Sequence, residues 1–324
     1  MATVTRPLTT QERAIELNVI ARKQRSLWQD AGHRLVRNKA AMVGLLIVIL
    51  AGIMAIFAPV IAPYSPTDPF TAAGKQAPTL ADPLWGDPKY VDARYPFGTD
   101  AIGRDILSRL VWAARVSMLV GFVPVAIIFL VGCSIGMAAG FYGGWTDQIL
   151  MRITDVIWAF PDLLFLIIIM ATIRNTEFGT IMGGLVLMFV AIAIVNWVGM
   201  ARLVRGQVLS LKEKEFIEAA RSIGVPNRRI MIRHLLPNAL APVIVSLAFA
   251  IPSAMLAEAG LSFLGIGIRP PTATWGVMIN EGFQVFSTSP WPVLLPAFCI
   301  ATVMLSFTFL GDGLRDALDP RMKL

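Results

Sequence analysis

The sequence predicts an all-α integral membrane protein with six transmembrane helices, and three observations lead there. Hydrophobic residues make up 56% of the 324-residue chain and charged residues 15%, where a soluble domain carries about a quarter charged. Six segments, 40 to 62, 116 to 140, 155 to 173, 181 to 200, 239 to 258 and 291 to 310, meet the requirement of about 20 mostly apolar residues to cross roughly 30 Å of hydrocarbon. The two-residue alternation of a membrane β-barrel is absent, so helices remain as the way to satisfy the backbone in lipid. An even number of spans places both termini on one side.

Residues 1–39 are polar and basic, without a short apolar core and small-residue cleavage site, so no removable signal peptide is expected and the first span acts as the targeting signal. Leu27, Ala31 and Leu35, with Trp28, lie among Arg25, Arg34 and Arg37. That pattern predicts an interfacial helix ahead of the first span, 40–62, following a basic tail up to about Ser26. Residues 63–115, rich in Pro, Asp and Gly, read as an outer loop whose length hints at a binding surface.

The core of five helices covers 116–312. In its first helix Gly132, Gly136 and Gly140 repeat every four residues, a smooth face for close helix packing. Pro124, Pro242 and Pro252 fall inside spans and predict kinks. Two acids fall within spans, and an ionisable group in lipid is a candidate for lining a pathway. Asp162, just after Pro161, either borders a wet pathway or is hydrogen-bonded within the bundle; Glu258 lies near the outer end of the fifth span, where solvent could account for it. Between spans five and six, Trp275 is expected to anchor at the headgroup level. A short tail, 313–324, closes the chain.

Orientation follows from Lys and Arg, which accumulate on the cytoplasmic side. Arg6, Arg13, Arg22, Lys23, Arg25, Arg34, Arg37 and Lys39 precede the first span. Arg202, Arg205, Lys212, Lys214, Arg221, Arg228, Arg229 and Arg233 fill the loop between spans four and five, and both regions are expected to be cytoplasmic. The net charge of +7 is thereby explained by topology, with no call for nucleic acid. Cys133 and Cys299 fall inside spans without a C-x-x-C partner, and His33 and His234 have no ligand spacing, so neither redox nor metal chemistry is indicated. The phosphate-cradle spacing is absent, since Gly74-Lys75 is followed by Gln76, and GLSFLG from Gly260 lacks a nucleophile elbow. Nothing in the sequence marks an enzyme active site.

The segment Ser210 to Pro237 predicts two short cytoplasmic helices. Ser210 and Glu213 have capping-box spacing, and Phe216, Ile217, Ala220 and Ile223 fall on one helical face. Gly224 suits a left-handed stop followed by Pro226, and Asn227 is the expected N-cap of a second helix ending near Pro237. Such a segment is either a solvated linker or a docking handle.

Its residues also carry a resemblance. Glu218-Ala219-Ala220, Gly224 three residues on, and His234 followed by Leu236-Pro237 resemble the EAA motif of permease subunits in ABC importers, with His234 at the usual Ile position, as in the RH-x-LPN form of the dipeptide, oligopeptide and nickel branch. FGTDAIGRDILSR, GFYGGWTDQILMRITDVIWAFPDLL, EAGLSFLGIGIRPPTATWG and GDGLRDALDPR match that branch, and RLVRNKAAMVGLL with APVIAPYSP resembles the leader of its C-type second permease. The resemblance implies a type I ABC importer permease bundle in a bacterial or archaeal cytoplasmic membrane. The implied partners are a homologous B-type permease, two cytoplasmic ATPases that hold the ATP and magnesium, and an extracytoplasmic binding protein delivering di- or oligopeptides. This chain itself needs no cofactor. Branch relatives also carry nickel complexes, glutathione or oligosaccharides. Glu215, Glu218, Ala219, Ala220, Arg221, Gly224, His234, Leu236 and Pro237 would couple the chain to an ATPase. A stand-alone secondary transporter is the competing class, for which an internal repeat or several membrane acids would be expected.

Overall fold

The structure, a computed structural model, describes residues 27–68, 95–287 and 289–319. The expectations for the tail up to Ser26, for most of the outer loop and for the last five residues lie outside them. The regular secondary structure among the described residues is helical, apart from one isolated bridge between Thr99 and Asp105.

A helix stands ahead of the first span, where one was expected, as α1, Leu27–Arg37. Asn38 then accepts the amide of Ala41 at 3.1 Å and caps α2, Lys39–Ile56, the first span. α3, Ile106–Tyr142, is capped by Asp105, which accepts the amide of Ser108 at 2.8 Å. It starts ten residues ahead of the sequence boundary at 116, so the last part of the expected loop is helix. Its 37 residues make a rod of about 55 Å, longer than hydrocarbon is thick. Pro124 lies inside it without interrupting the helix.

The third span departs most from expectation. It is two helices, α4 (Gly144–Trp158) and α5 (Asp162–Ile173), bent by 82° at Phe160-Pro161. The physical reason is the proline, which holds an extended ψ of 125° at the N-cap of α5. α5 alone is about 18 Å long, too short to cross. Five helices in the described residues are long and apolar enough to span, and the count reaches six when the bent pair is taken as one broken span.

α6, Leu185–Leu211, follows as the fourth span, then the short α7, Glu215–Ser222. The second of the two short helices expected between spans four and five is not separate. It begins at Asn227, passes through a π-helical turn at Ile230–Leu235 and continues as α8, Leu236–Phe263. Pro237 falls in the first turn of α8, where its missing N–H does least harm, and so does not end the helix. α9, Trp275–Phe283, and the sixth span α10, Trp291–Leu318, complete the bundle. α10 therefore runs six residues into the segment expected to be tail.

The glycine stripe acts as the sequence implied. A Cβ added at Gly132 would lie 2.6 Å from the Cβ of Met200, and one at Gly140 would lie 2.9 Å from the Cβ of Val208. α3 and α6 therefore pack backbone to backbone, running parallel. The main core gathers Ile106 and Leu110 of α3, Met170 of α5, Leu187 and Ile192 of α6, Leu261 of α8 and Trp275 of α9.

Trp275 corrects the anchor expectation. It is fully buried, and its Nε1 donates to the carbonyl of Leu110 at 3.2 Å, so it locks α9 into the bundle instead of marking a headgroup boundary. Nearby, Asp100 and Glu281 share two buried arginines. Arg104 reaches Asp100 and Glu281 at 2.6 Å each, and Arg109 reaches them at 2.5 and 2.7 Å. This ring of four charges ties the start of α3 to α9, at the end of the bundle opposite the 201–237 loop.

Candidate functional site

α7 is an eight-residue helix laid across one end of the bundle. The capping box does not form. α6 continues through Ser210 to Leu211, and the N-cap of α7 is Lys214, with backbone bonds from Ile217 and Glu218 to its carbonyl. The reason is tertiary: Val208, fully buried against Gly140, holds the last turn of α6 helical. Asn227 is likewise displaced, with Pro226 as the N-cap of its turn.

The C-terminus of α7 forms as expected. Gly224 has φ +75°, its N–H donates to Arg221 at 2.9 Å, and the N–H of Val225 donates to Ala220 at 3.0 Å. These are the two bonds of a Schellman motif, which consumes carbonyls that the last turn would otherwise leave open.

Seating is by a narrower face than the four residues of the sequence reading. Ile217 and Ala220 are buried, whereas Phe216 is 42% and Ile223 81% exposed. Ile217 enters a cluster with Phe141, Val204, Val208, Ile230 and Leu235, so the ends of α3, α6 and the π-turn together form its socket. Glu215, Glu218, Ala219, Arg221 and Gly224 face outward, and Ala220 faces the socket. His234 and Leu236 are half-buried and Pro237 exposed on the neighbouring turn.

Three contacts absent from the sequence reading bind this end together. The Arg221 guanidinium lies 5.5 Å from the ring centre of Phe141. Arg205 of α6 grips Asp147 of α4 bidentately, at 2.5 and 2.6 Å. Arg202 reaches Asp155 at 2.8 Å while covering Trp158. Asp147 and Asp155, eight positions apart on α4, are thus held by Arg205 and Arg202, three positions apart on α6, so α4 crosses α6 instead of running beside it. Sequence spacing offered no signal for these pairs, because their partners are some fifty residues apart; only the opposite charges on α4 and α6 could have suggested them.

The two intramembrane acids are not brought together with α7. Asp162 sits exposed in the first turn of α5, at the bend. Glu258 is 1% exposed, and its Oε1 accepts from the hydroxyls of Ser262 and Thr274, each at 2.7 Å. Solvent does not account for it; the carboxyl joins α8 to the N-cap of α9. Gly276 permits this approach, since a Cβ there would lie 2.7 Å from the Cα of Ala259.

Comparison with known proteins gives consistent matches. Residues 132–324 match the family described as binding-protein-dependent transport system inner membrane component, and residues 26–81 match the N-terminal TM domain of oligopeptide transport permease C. The oligopeptide transport system permease protein OppC of Bacillus subtilis is 40% identical over 304 residues, covering 94% of this chain and 93% of its own. The dipeptide transport system permease protein DppC of Alkalihalophilus pseudofirmus is 42% identical over 300 residues, covering 92% and 91%. A solved structure of the MetNI methionine ABC transporter in inward facing conformations covers 66% of this chain and 98% of its own, at 18% identity and a TM-score of 0.49.

Proposed function

Since the chain belongs to the family of binding-protein-dependent transport system inner membrane components, permeases of ABC importers, we propose that it forms half of a translocation pathway for di- or oligopeptides. A homologous permease supplies the other half. Two ATPases on the side of α7 bind ATP and magnesium and drive the cycle, and a binding protein delivers peptide to the opposite end. The termini and the 201–237 loop lie on the cytoplasmic side of the inner membrane, where their Lys and Arg are retained. Peptide as substrate is supported by relatives named for oligopeptide and dipeptide transport.

The observation that carries this reading is α7 itself. It is an amphipathic helix fixed to three spans by Ile217 and Ala220, with Glu215, Glu218 and Ala219 exposed and Arg221 lying over Phe141 at its edge. A partner that bound this face differently in two states would bias the spans beneath, and only such differential binding shifts an equilibrium. The test is co-expression with the ATPases, companion permease and binding protein, followed by labelled-peptide uptake and ATPase co-purification. Glu218→Lys is expected to lower both while the permease remains in the membrane. Undiminished uptake and co-purification would remove α7 from the coupling role, and uptake of nickel complexes or oligosaccharides in place of peptide would overturn the substrate.

A further inference from the structure

A cavity of about 230 Å³ lies between α3, α6 and α8, and its lining includes Ile128, Asn196, Gly199, Ser246, Phe249 and Ser253. Asn196 is about 16 Å from the start of α6, and Ser246 and Ser253 are about 15 and 25 Å from the start of α8, all at mid-span depth. Ser246 and Ser253 are two turns apart and share a face; Asn196 and Gly199 share one on α6. Asn196, Gly199 and Ser253 are exposed in the single chain. A carboxamide turned toward hydrocarbon is unfavourable, so this face requires water or polar atoms opposite it.

Gly199 adds an independent observation. A Cβ built there meets nothing within 4 Å, unlike one at Gly132 on the helix seam, which meets Met200 at 2.6 Å. Packing within this chain therefore gives no reason for its small size, whereas keeping a passage clear does.

We infer that this face of α6 and α8 borders the substrate route and offers hydrogen-bond acceptors to peptide main-chain N–H groups. Asn196 spends a donor on the carbonyl of Ile192 at 2.9 Å, and Ser253 spends its hydroxyl hydrogen on Phe249 at 2.9 Å. The Asn196 Oδ1 and the Ser253 lone pairs remain available toward the cavity. The lining residues include no charged side chain, so the surface suits the amides common to all peptides and is indifferent to the sign of their side chains. This inference rests on the chain being half of an importer pathway, and it names which surface is the wall.

The test uses the assembled complex in vesicles, with Cys133→Ala and Cys299→Ala as background. Ser253→Cys is expected to react with a charged, water-borne methanethiosulfonate, while Leu46→Cys on α2, 56% exposed, does not. Gly199→Leu is expected to cut labelled-dipeptide uptake at least tenfold with ATPase co-purification unchanged. Gly52→Leu, another helix glycine whose added Cβ meets nothing within 4 Å, leaves uptake at the wild-type level. An unreactive Ser253→Cys, or full uptake by Gly199→Leu, overturns the assignment. If the wild-type complex takes up no peptide, the proposed substrate fails, and thiol reactivity, which needs no peptide, still decides whether the face is wetted.

Discussion

Gly224 shows how one residue can be tested apart from its surroundings. Its φ of +75° lies where side chains with a Cβ are strained, yet a Cβ there meets nothing within 4 Å. Gly224→Val therefore costs backbone strain alone, about 1–2 kcal/mol, concentrated at the end of α7. The expected result is a clear fall in peptide uptake with the thermal midpoint in detergent lowered by only a few degrees; equal uptake would show that the turn does not matter to coupling. This glycine was legible in the sequence because its role is local, set by the residues just before and after it. Ser210 was misread because a capping box is equally local, while the choice to continue α6 is made by Val208 against Gly140, about seventy residues away. Trp275 was misread for a related cause: an indole suits either a membrane boundary or a core with an acceptor, and only the fold supplies the carbonyl of Leu110.

Between elements, the seam of α3 and α6 and the ring of four charges do different work. At Gly136 an added side chain would meet the Cβ of Val204 at 2.8 Å and the amide of Arg205 at 3.1 Å, neither the far end of a flexible side chain. Gly136→Leu should separate the helices at a cost of about 1–3 kcal/mol and loosen the socket of α7, read as a lower thermal midpoint and reduced ATPase co-purification. Removing Arg109 leaves Asp100 and Glu281 sharing Arg104 alone, so one carboxylate of a largely buried cluster loses its counter-charge. Arg109→Ala is expected to destabilise by about 3–5 kcal/mol, and a midpoint within a degree of wild type would show the ring to be well solvated. The glycine period was readable as a packing face, though not its partner helix. The ring was not readable, since its members at 100, 104, 109 and 281 meet only after four spans have assembled. The bend at Pro161 lies between these cases: proline announces a break, but an apolar run carries no angle.

For the molecule as a whole, the span count and helical class followed from composition and length, because hydrocarbon imposes them on any sequence. What did not follow was how the 201–237 loop joins the bundle, since Asn227 through Phe263 proved to be one uninterrupted rod containing a wider turn. As an assembly, uptake should disappear when the ATPases are omitted and return when they are supplied, and motor-independent uptake would refute the importer reading. The wider turn at Ile230–Leu235 has a further consequence. It admits one residue more than an α-helical path would need and absorbs that residue locally. Deleting a single residue there would let the turn close as ordinary α-helix and leave α8 in phase, whereas deleting one between Leu236 and Ser246 would turn the later residues by about 100°. Only the second deletion would carry Ser246 and Ser253 off the cavity wall, so the wide turn is the place in this rod where a residue can be lost without re-aiming that wall.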